Sequence, residues 1–281
     1  MEILHTVEEL RRWSRAMRAQ AGATVGLVPT MGALHAGHAS LIQAAVAKCG
    51  KVAVSIFVNP TQFGPHEDYA RYPRTFDADC ALAEAEGAHV VFAPNVDEMY
   101  PAGAATFVDV EGLSERLDGK SRPGHFRGVA TVVTKLLIAS EADRAYFGQK
   151  DAAQVAVLRR MVTDLRLATE LVVCPIVREP DGLALSSRNI YLNAEERAKA
   201  LTLSRAVRLV EMLVAAGERH TETLIAAARA VFADEPEVRV DYTELVNWDS
   251  LEPVDTAMPG SLFAVAAWVG TTRLIDNAVI G

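Results

Sequence analysis

The 281 residues predict an α/β protein: a Rossmann-like parallel sheet with helices on both faces, followed by a smaller α+β C-terminal domain. Two patterns predict this. Up to Val177, short aliphatic runs alternate with stretches of helical spacing, as in a parallel sheet with crossover helices. Beyond residue 180 the order becomes two helices and then strands, which divides the chain at 1–180 and 181–281. Half of the residues are hydrophobic, enough for a sizeable core.

Thr6 and Glu9 have capping-box spacing, with Leu10, Trp13 and Met17 following at helical intervals. Residues 24–28 read as a short buried strand, which Pro29 ends by lacking an N–H. Residues 39–49 carry Leu41, Ile42, Ala45 and Val46 at helical spacing. Residues 51–58 form a second strand and 59–65 a loop. Residues 68–86 are polar with a helical second half. There Asp77 and Asp79 read as a solvated face that can reach Mg²⁺ through water. Residues 89–94 resemble a strand, and 119–128 a basic, glycine-rich loop before the apolar helical run 129–138. Residues 143–151 give another strand and glycine, leading into a helix with Ala153, Val157, Leu158 and Met161 on one side. Residues 171–177 are a further strand, and Asp181-Gly182 a turn. Asn193 with Glu196 caps a helix reaching about Ala216, ended by Gly217. A second helix follows Thr221, then strands at 238–242 and 262–269, and residues 272–277 close the chain.

The chemistry is expected in Leu27-Val28-Pro29-Thr30-Met31-Gly32-Ala33-Leu34-His35-Ala36-Gly37-His38-Ala39-Ser40-Leu41, where a strand pattern meets a helix pattern through glycines and two histidines. Gly32 and Gly37 let backbone approach a ligand, and a helix starting near Gly37 or His38 aims unpaired N–H groups into the turn, a fit for phosphate. A helix end supplies only about 0.3–1 kcal/mol, so a polyphosphate needs further donors. His35 and His38, roughly a quarter charged at pH 7 if unperturbed, can donate hydrogen bonds or protonate a leaving oxygen. The pair also fits ordinary turn residues. Its spacing fits zinc too, but no nearby Cys or third His completes a cluster.

Other loops leaving strand ends face the same crevice. Asn59 and Gln62 can orient a hydroxyl or carboxylate. Arg122, His125 and Arg127 are the densest positive cluster in an acidic chain. Lys150 and Gln154, four apart, share a helix face. Ser186, Ser187 and Arg188 can wrap a triphosphate.

A net charge of −8 argues against a general nucleic-acid or membrane-surface binder. Cys49, Cys80 and Cys174 form no metal motif and suit a reducing compartment. The N-terminal residues are acidic where a signal peptide is basic and then apolar, and no apolar run reaches the roughly 20 residues that span a bilayer. These features set the expectation of a cytoplasmic protein. On residues alone, a nucleotidylyltransferase and a non-catalytic nucleotide-binding regulator both stay open.

Seven pieces, in order and nearly end to end, resemble the pantoate–β-alanine ligase (pantothenate synthetase) family. They are residues 29–38, 55–60 (Ser-Ile-Phe-Val-Asn-Pro), 72–75 (Tyr-Pro-Arg-Thr), 122–126 (Arg-Pro-Gly-His-Phe), 147–151 (Phe-Gly-Gln-Lys-Asp), 181–189 (Asp-Gly-Leu-Ala-Leu-Ser-Ser-Arg-Asn) and 273–277 (Arg-Leu-Ile-Asp-Asn). The first and sixth look like the signature loops of the wider adenylate-forming nucleotidylyltransferase superfamily. Ala36 stands where the family often has an acid, and Gln149 where Glu is also common.

The resemblance implies ATP-dependent condensation of (R)-pantoate with β-alanine through a pantoyl adenylate. Met31, Gly32, Ala33, Leu34, His35, Ala36, Gly37 and His38 would form one wall of the ATP site, with His38 the proton donor to leaving diphosphate. Gly148, Gln149, Lys150, Asp151, Val177, Leu185, Ser186, Ser187 and Arg188 would complete it. His35, His38, Lys150, Arg188 and a Mg²⁺ would meet the developing phosphoryl charge. Gln62 and Gln154 would hold pantoate, Gln62 also lying beside β-alanine. The second domain or the loop around Ser186 would close over the reactive anhydride. A homodimer is implied as well.

Overall fold

The computed structural model describes residues 1–19, 23–65 and 67–281. One parallel sheet contains β1 (Glu2–Leu4), β2 (Val25–Thr30), β3 (Lys51–Ile56), β4 (Val90–Phe92), β5 (Arg144–Gly148) and β6 (Glu170–Cys174), in the spatial order β1-β4-β3-β2-β5-β6. Between them run α1 (Val7–Ala19), α2 (Ala36–Lys48), α3 (Phe76–Ala85), the single turns α4 (Val96–Met99) and α5 (Asp118–Ser121), α6 (His125–Ser140) and α7 (Ala152–Asp164). Then α8 (Ala194–Ala215) and α9 (Thr221–Ala233) precede an antiparallel sheet of β7 (Val238–Asn247), β8 (Ser261–Val269) and β9 (Thr272–Val279).

Successive strand residues point to opposite faces, and the two cores follow that alternation. Leu27, Ala53, Phe92 and Phe147 join α1, α6 and α7. Val28, Val54, Val91 and Tyr146 join α2 and α3. Strand order runs outward from β2 to one side through β3 and β4, and to the other through β5 and β6. Ligand crevices open at such a reversal, beyond the carboxyl ends of the strands. The turns after β2 and β5 therefore share one crevice.

The second sheet packs Phe263, Val265 and Leu274 against Leu203, Val207 and Leu224 of the two long helices. Its other residues Val246, Leu262 and Ala264 enter the larger core with α6 and α7. A fully buried aliphatic side chain contributes about 1.5–3 kcal/mol, so the two sheets are not loosely hinged.

Several expectations need correction. β2 continues through Pro29, which pairs with Ser55 of β3. Pairing with β5 has already stopped at Leu27, so Pro29 has a strand neighbour on one side only. The 119–128 stretch is not a loop: α5 occupies its start, and α6 begins at His125, after Gly124 turns left-handed, because His125 and Phe126 are themselves buried. β6 stops at Cys174, before Pro175; Val177 instead accepts from Leu185 N–H (3.0 Å) in a tight return. β7 runs on to Asn247, with a bulge between Val240 and Tyr242, and 272–279 is a full strand. Both expected capping boxes form, at Thr6/Glu9 and Asn193/Glu196.

Candidate active site

At the end of β2, Thr30 donates its hydroxyl to Ser55 O (2.6 Å) and accepts from Gly32 N–H. The chain then turns through Gly32 (φ +85°) and Ala33 (φ +50°). Asp79 of α3 fixes this turn: its two oxygens accept from Ala33 N–H (2.9 Å) and Leu34 N–H (2.8 Å), and Thr75 Oγ1 donates to it (3.0 Å). A Cβ on Gly32 would lie 3.0 Å from that carboxylate, in a backbone region side chains disfavour. Asp79, 2% exposed, is thus not on a solvated face. The missed signal was its position four residues before buried Ala83, on one side of α3.

α2 begins with two imidazoles in place of the usual hydroxyl and carboxylate of a capping box. His35 Nδ1 accepts from Gly37 N–H (3.1 Å), and His38 Nδ1 accepts from His35 N–H (3.3 Å). An accepting Nδ1 carries no proton, so each neutral ring presents an Nε2–H donor. Burial, with Lys150 nearby, holds His35 down to about 4. Burial, with the tilted His35 ring 4.1 Å away, holds His38 down to about 3. The quarter-charged expectation is therefore corrected: at pH 7 both rings are neutral donors with fixed tautomers.

Gln62 closes a short 3₁₀ turn begun by Asn59. Asn59 is 1% exposed; its Nδ2 donates to Gln62 Oε1 (3.0 Å) and to Gly128 O (3.1 Å), while Tyr100 OH and Thr61 Oγ1 donate to its Oδ1. Gln62 is so oriented that its NH₂ faces outward, resting on Met31 Sδ (3.1 Å), a weak acceptor that a substrate oxygen can replace. α6 comes close enough that a Cβ on Gly128 would lie 2.4 Å from Thr61 O, so only glycine fits.

His125 shows the opposite tautomer. Arg122 Nη1 donates to its Nε2 (3.0 Å), leaving Nδ1–H to donate to Gln62 O (2.8 Å). Burial, with Arg122 adding, holds its pKa at about 4. Arg122 is bidentate on Glu67 (2.6 and 2.7 Å), and Arg188 is bidentate on Asp68 (both 3.0 Å). Burial raises both acids, but their arginines outweigh it and hold them below the usual carboxylate range. Lys150 is less neutralised, with a single long contact to Asp151 (3.4 Å) among the described residues. Gln154 has no side-chain hydrogen bond among the described residues.

These groups line a cavity of about 1050 Å³ including its open mouth. Met31, His35, His38, Gln62, Lys150, Asp151, Gln154, Leu185, Ser186, Ser187 and Arg188 all face it, opposite an apolar wall of Phe57, Val129, Val132, Leu136 and Phe147. A cleft of about 650 Å³ continues from it toward Arg273 and Asp276. Gly32, Ala33, Leu34, Ala36, Gly37, Gly148, Gln149 and Val177 do not line the cavity. The first five shape the turn, and Gln149 points at Asn277 of β9. Arg127 stacks on Phe107 (4.0 Å) in a separate groove. Among the described residues, no three His, Cys, Asp or Glu side chains cluster as a metal site, and no helix is long and apolar enough to cross a membrane.

A cavity with fixed neutral donors, one weakly paired ammonium and outward amides can bind a polyphosphate beside a small polar acid. Comparison with known proteins points the same way. Residues 2–279 match the family model for pantoate-β-alanine ligase. The chain is 60% identical to a pantothenate synthetase of Acidobacterium capsulatum, covering 100% of this chain and 95% of that one. It superposes on the pantothenate synthetase of Thermus thermophilus with a TM-score of 0.94 at 45% identity, covering 100% and 99%. A Francisella tularensis pantoate-β-alanine ligase complexed with β,γ-ATP and β-alanine superposes with a TM-score of 0.81 at 32% identity, covering 99% and 97%.

Proposed function

The chain belongs to the pantoate–β-alanine ligase family, and from that premise we propose how its cavity carries out the ATP-dependent ligation. The reaction joins pantoate to β-alanine in two steps. A carboxylate is a poor acyl donor, so a pantoate carboxylate oxygen first attacks the α-phosphorus of ATP and diphosphate leaves with the bonding electrons. The ammonium of β-alanine gives up a proton and the resulting amine attacks the acyl carbon of the pantoyl adenylate; the acyl C–O bond breaks, AMP departs with those electrons, and the nitrogen sheds a second proton to AMP or water to leave the amide.

In our reading the Nε2–H donors of His35 and His38, with Lys150 and Arg188, receive the phosphoryl oxygens on which charge accumulates. His38 faces the leaving diphosphate. A triphosphate beside these neutral imidazoles strengthens the hydrogen bonds their Nε2–H groups donate, whereas an added proton would have to enter at Nδ1 and break the helix cap. Ser186, Ser187 and Leu185 form the opposite side of the nucleotide site. Gln62 and Gln154 orient pantoate, whose methyl groups suit the apolar wall. Neutral amides position its carboxylate without quenching it as a nucleophile.

Mg²⁺ would arrive on the phosphates of ATP, as a cation that keeps most of its waters and needs few protein ligands. Asp151, facing the cavity beside Lys150, is the carboxylate placed to meet it, since the oxygens of Asp79 are committed to backbone N–H groups. When bound, Mg²⁺ neutralises phosphate charge. We take 1–180 and 181–281 as two domains. The apolar core they share supports the loop around Ser186, not the whole second domain, as the part that closes. A cytoplasmic homodimer remains part of the proposal.

The observation that carries this reading is the convergence of fixed Nε2–H donors, Lys150 and two outward amides on one cavity. Its test is to incubate the protein with ATP and Mg²⁺, adding pantoate and β-alanine singly and together. AMP should accumulate only with both, while pantoate alone should release no more than one diphosphate per site. AMP formation indifferent to pantoate would refute it.

A further inference from the structure

Asn277, near the end of β9, lines neither part of the cavity, yet its side chain is 4% exposed and wholly engaged with the Lys150 turn. Its Nδ2 donates to Gln149 O (3.1 Å) and Lys150 O (2.9 Å), and its Oδ1 accepts from Gln149 Nε2 (3.2 Å). We propose that Asn277 is a positioning residue for the ligation, aiming the Lys150 ammonium at the ATP phosphates from the far sheet.

The turn needs such a hold. Residues Gln149–Asp151 form a 3₁₀ turn whose N-cap is Gly148, and α7 begins at Ala152 with no side-chain cap. Support comes from the second sheet and its loops instead. Trp248 Nε1 donates to Ala152 O (3.0 Å), beside the two carbonyls taken by Asn277. Asn277 is itself anchored: its N–H donates to Asp276 Oδ1 (2.8 Å), and Asp276, 2% exposed, pairs bidentately with Arg178 (2.7 and 2.9 Å). Arg178 lies in the return that leads to Leu185 and Arg188, and its Nη1 also donates to Gly182 O (3.1 Å). One chain of hydrogen bonds, buried at Asp276 and Asn277, thus sets both the Lys150 turn and the base of the Ser186 loop. A shift of about 1 Å in a positioned group can cost on the order of 10²-fold in rate, so such an anchor matters to turnover.

The inference rests on the nucleotide-site role of Lys150, and the experiment separates the two. Asn277→Asp keeps the shape but turns an acceptor toward two carbonyls; Asn277→Ser, smaller and neutral, keeps at most one donor. Diphosphate release is followed against ATP concentration for each, alone and with Lys150→Ala. Expected are falls in kcat/KM for ATP of roughly 10–100-fold for Asn277→Asp and less for Asn277→Ser. Neither should lower the rate further in the Lys150→Ala background. Unchanged ATP kinetics in the folded variants, or an equal fractional loss in both backgrounds, overturns the positioning role alone. Undiminished use of ATP by Lys150→Ala overturns the nucleotide-site reading and this inference with it.

Discussion

The histidine turn after β2 and the lysine turn after β5 face each other across the strand reversal, yet they are held in opposite ways. The first caps itself: its two imidazoles accept from their own backbone, and Asp79 of α3 takes two further N–H groups. The second has no side-chain cap of its own and is gripped by Asn277 and Trp248. A self-capped turn keeps its donors aimed whatever the second sheet does. A turn held from outside ties its cation to the integrity of residues that lie far along the chain.

The largest effect should come from breaking the first turn at its centre. His38→Ala removes an Nε2–H donor and the acceptor of the helix cap together, and kcat is expected to fall on the order of 10²–10³-fold. Steady-state kinetics at saturating ATP checks this, and an undiminished rate would remove His38 from the chemistry. Asp79→Asn tests the same turn from behind. One backbone N–H then faces an amide NH₂, at a cost of about 1–3 kcal/mol, so the melting temperature should drop by several degrees. Use of ATP should weaken too, while a variant with parental stability and kinetics would show that the turn needs no anchor.

A further effect concerns pH. His125, buried with a pKa of about 4, stays neutral in the folded chain while the unfolded chain takes up a proton near 6.5. Its contribution to stability is complete above pH 6.5 and declines as pH falls toward 4, by up to about 1.4 kcal/mol per unit. His35 and His38 act in the same direction. Urea unfolding between pH 7 and 4 should show this decline, less steep in His125→Asn. Equal slopes would contradict a buried neutral ring.

The same contrast explains what could be read from the chain. Alternating strand and helix patterns, both expected capping boxes and the glycine-histidine turn are local, and local spacing revealed them. Gln62 and Gln154 were legible as loop and helix amides near strand ends. Interactions over long separations were not. Asp79 looked solvated despite standing one helical turn before Ala83, because its partners Ala33 and Leu34 lie far back in the chain. Gln149, inside a recognised motif, points away from the cavity because its partner arrives from β9. The charge of the histidines was misjudged because burial, invisible in spacing, decides it. The basic stretch 119–128 passed for a loop because its glycines hid the buried His125 and Phe126 at the true start of α6.

A structure of the protein with pantoate and a non-hydrolysable ATP analogue tests the central claim most directly. Phosphate oxygens should lie about 3 Å from Nε2 of His35 and His38 and from Lys150 Nζ, with the amides of Gln62 and Gln154 on pantoate. A triphosphate seated elsewhere, with both imidazoles turned away from it, would contradict the account.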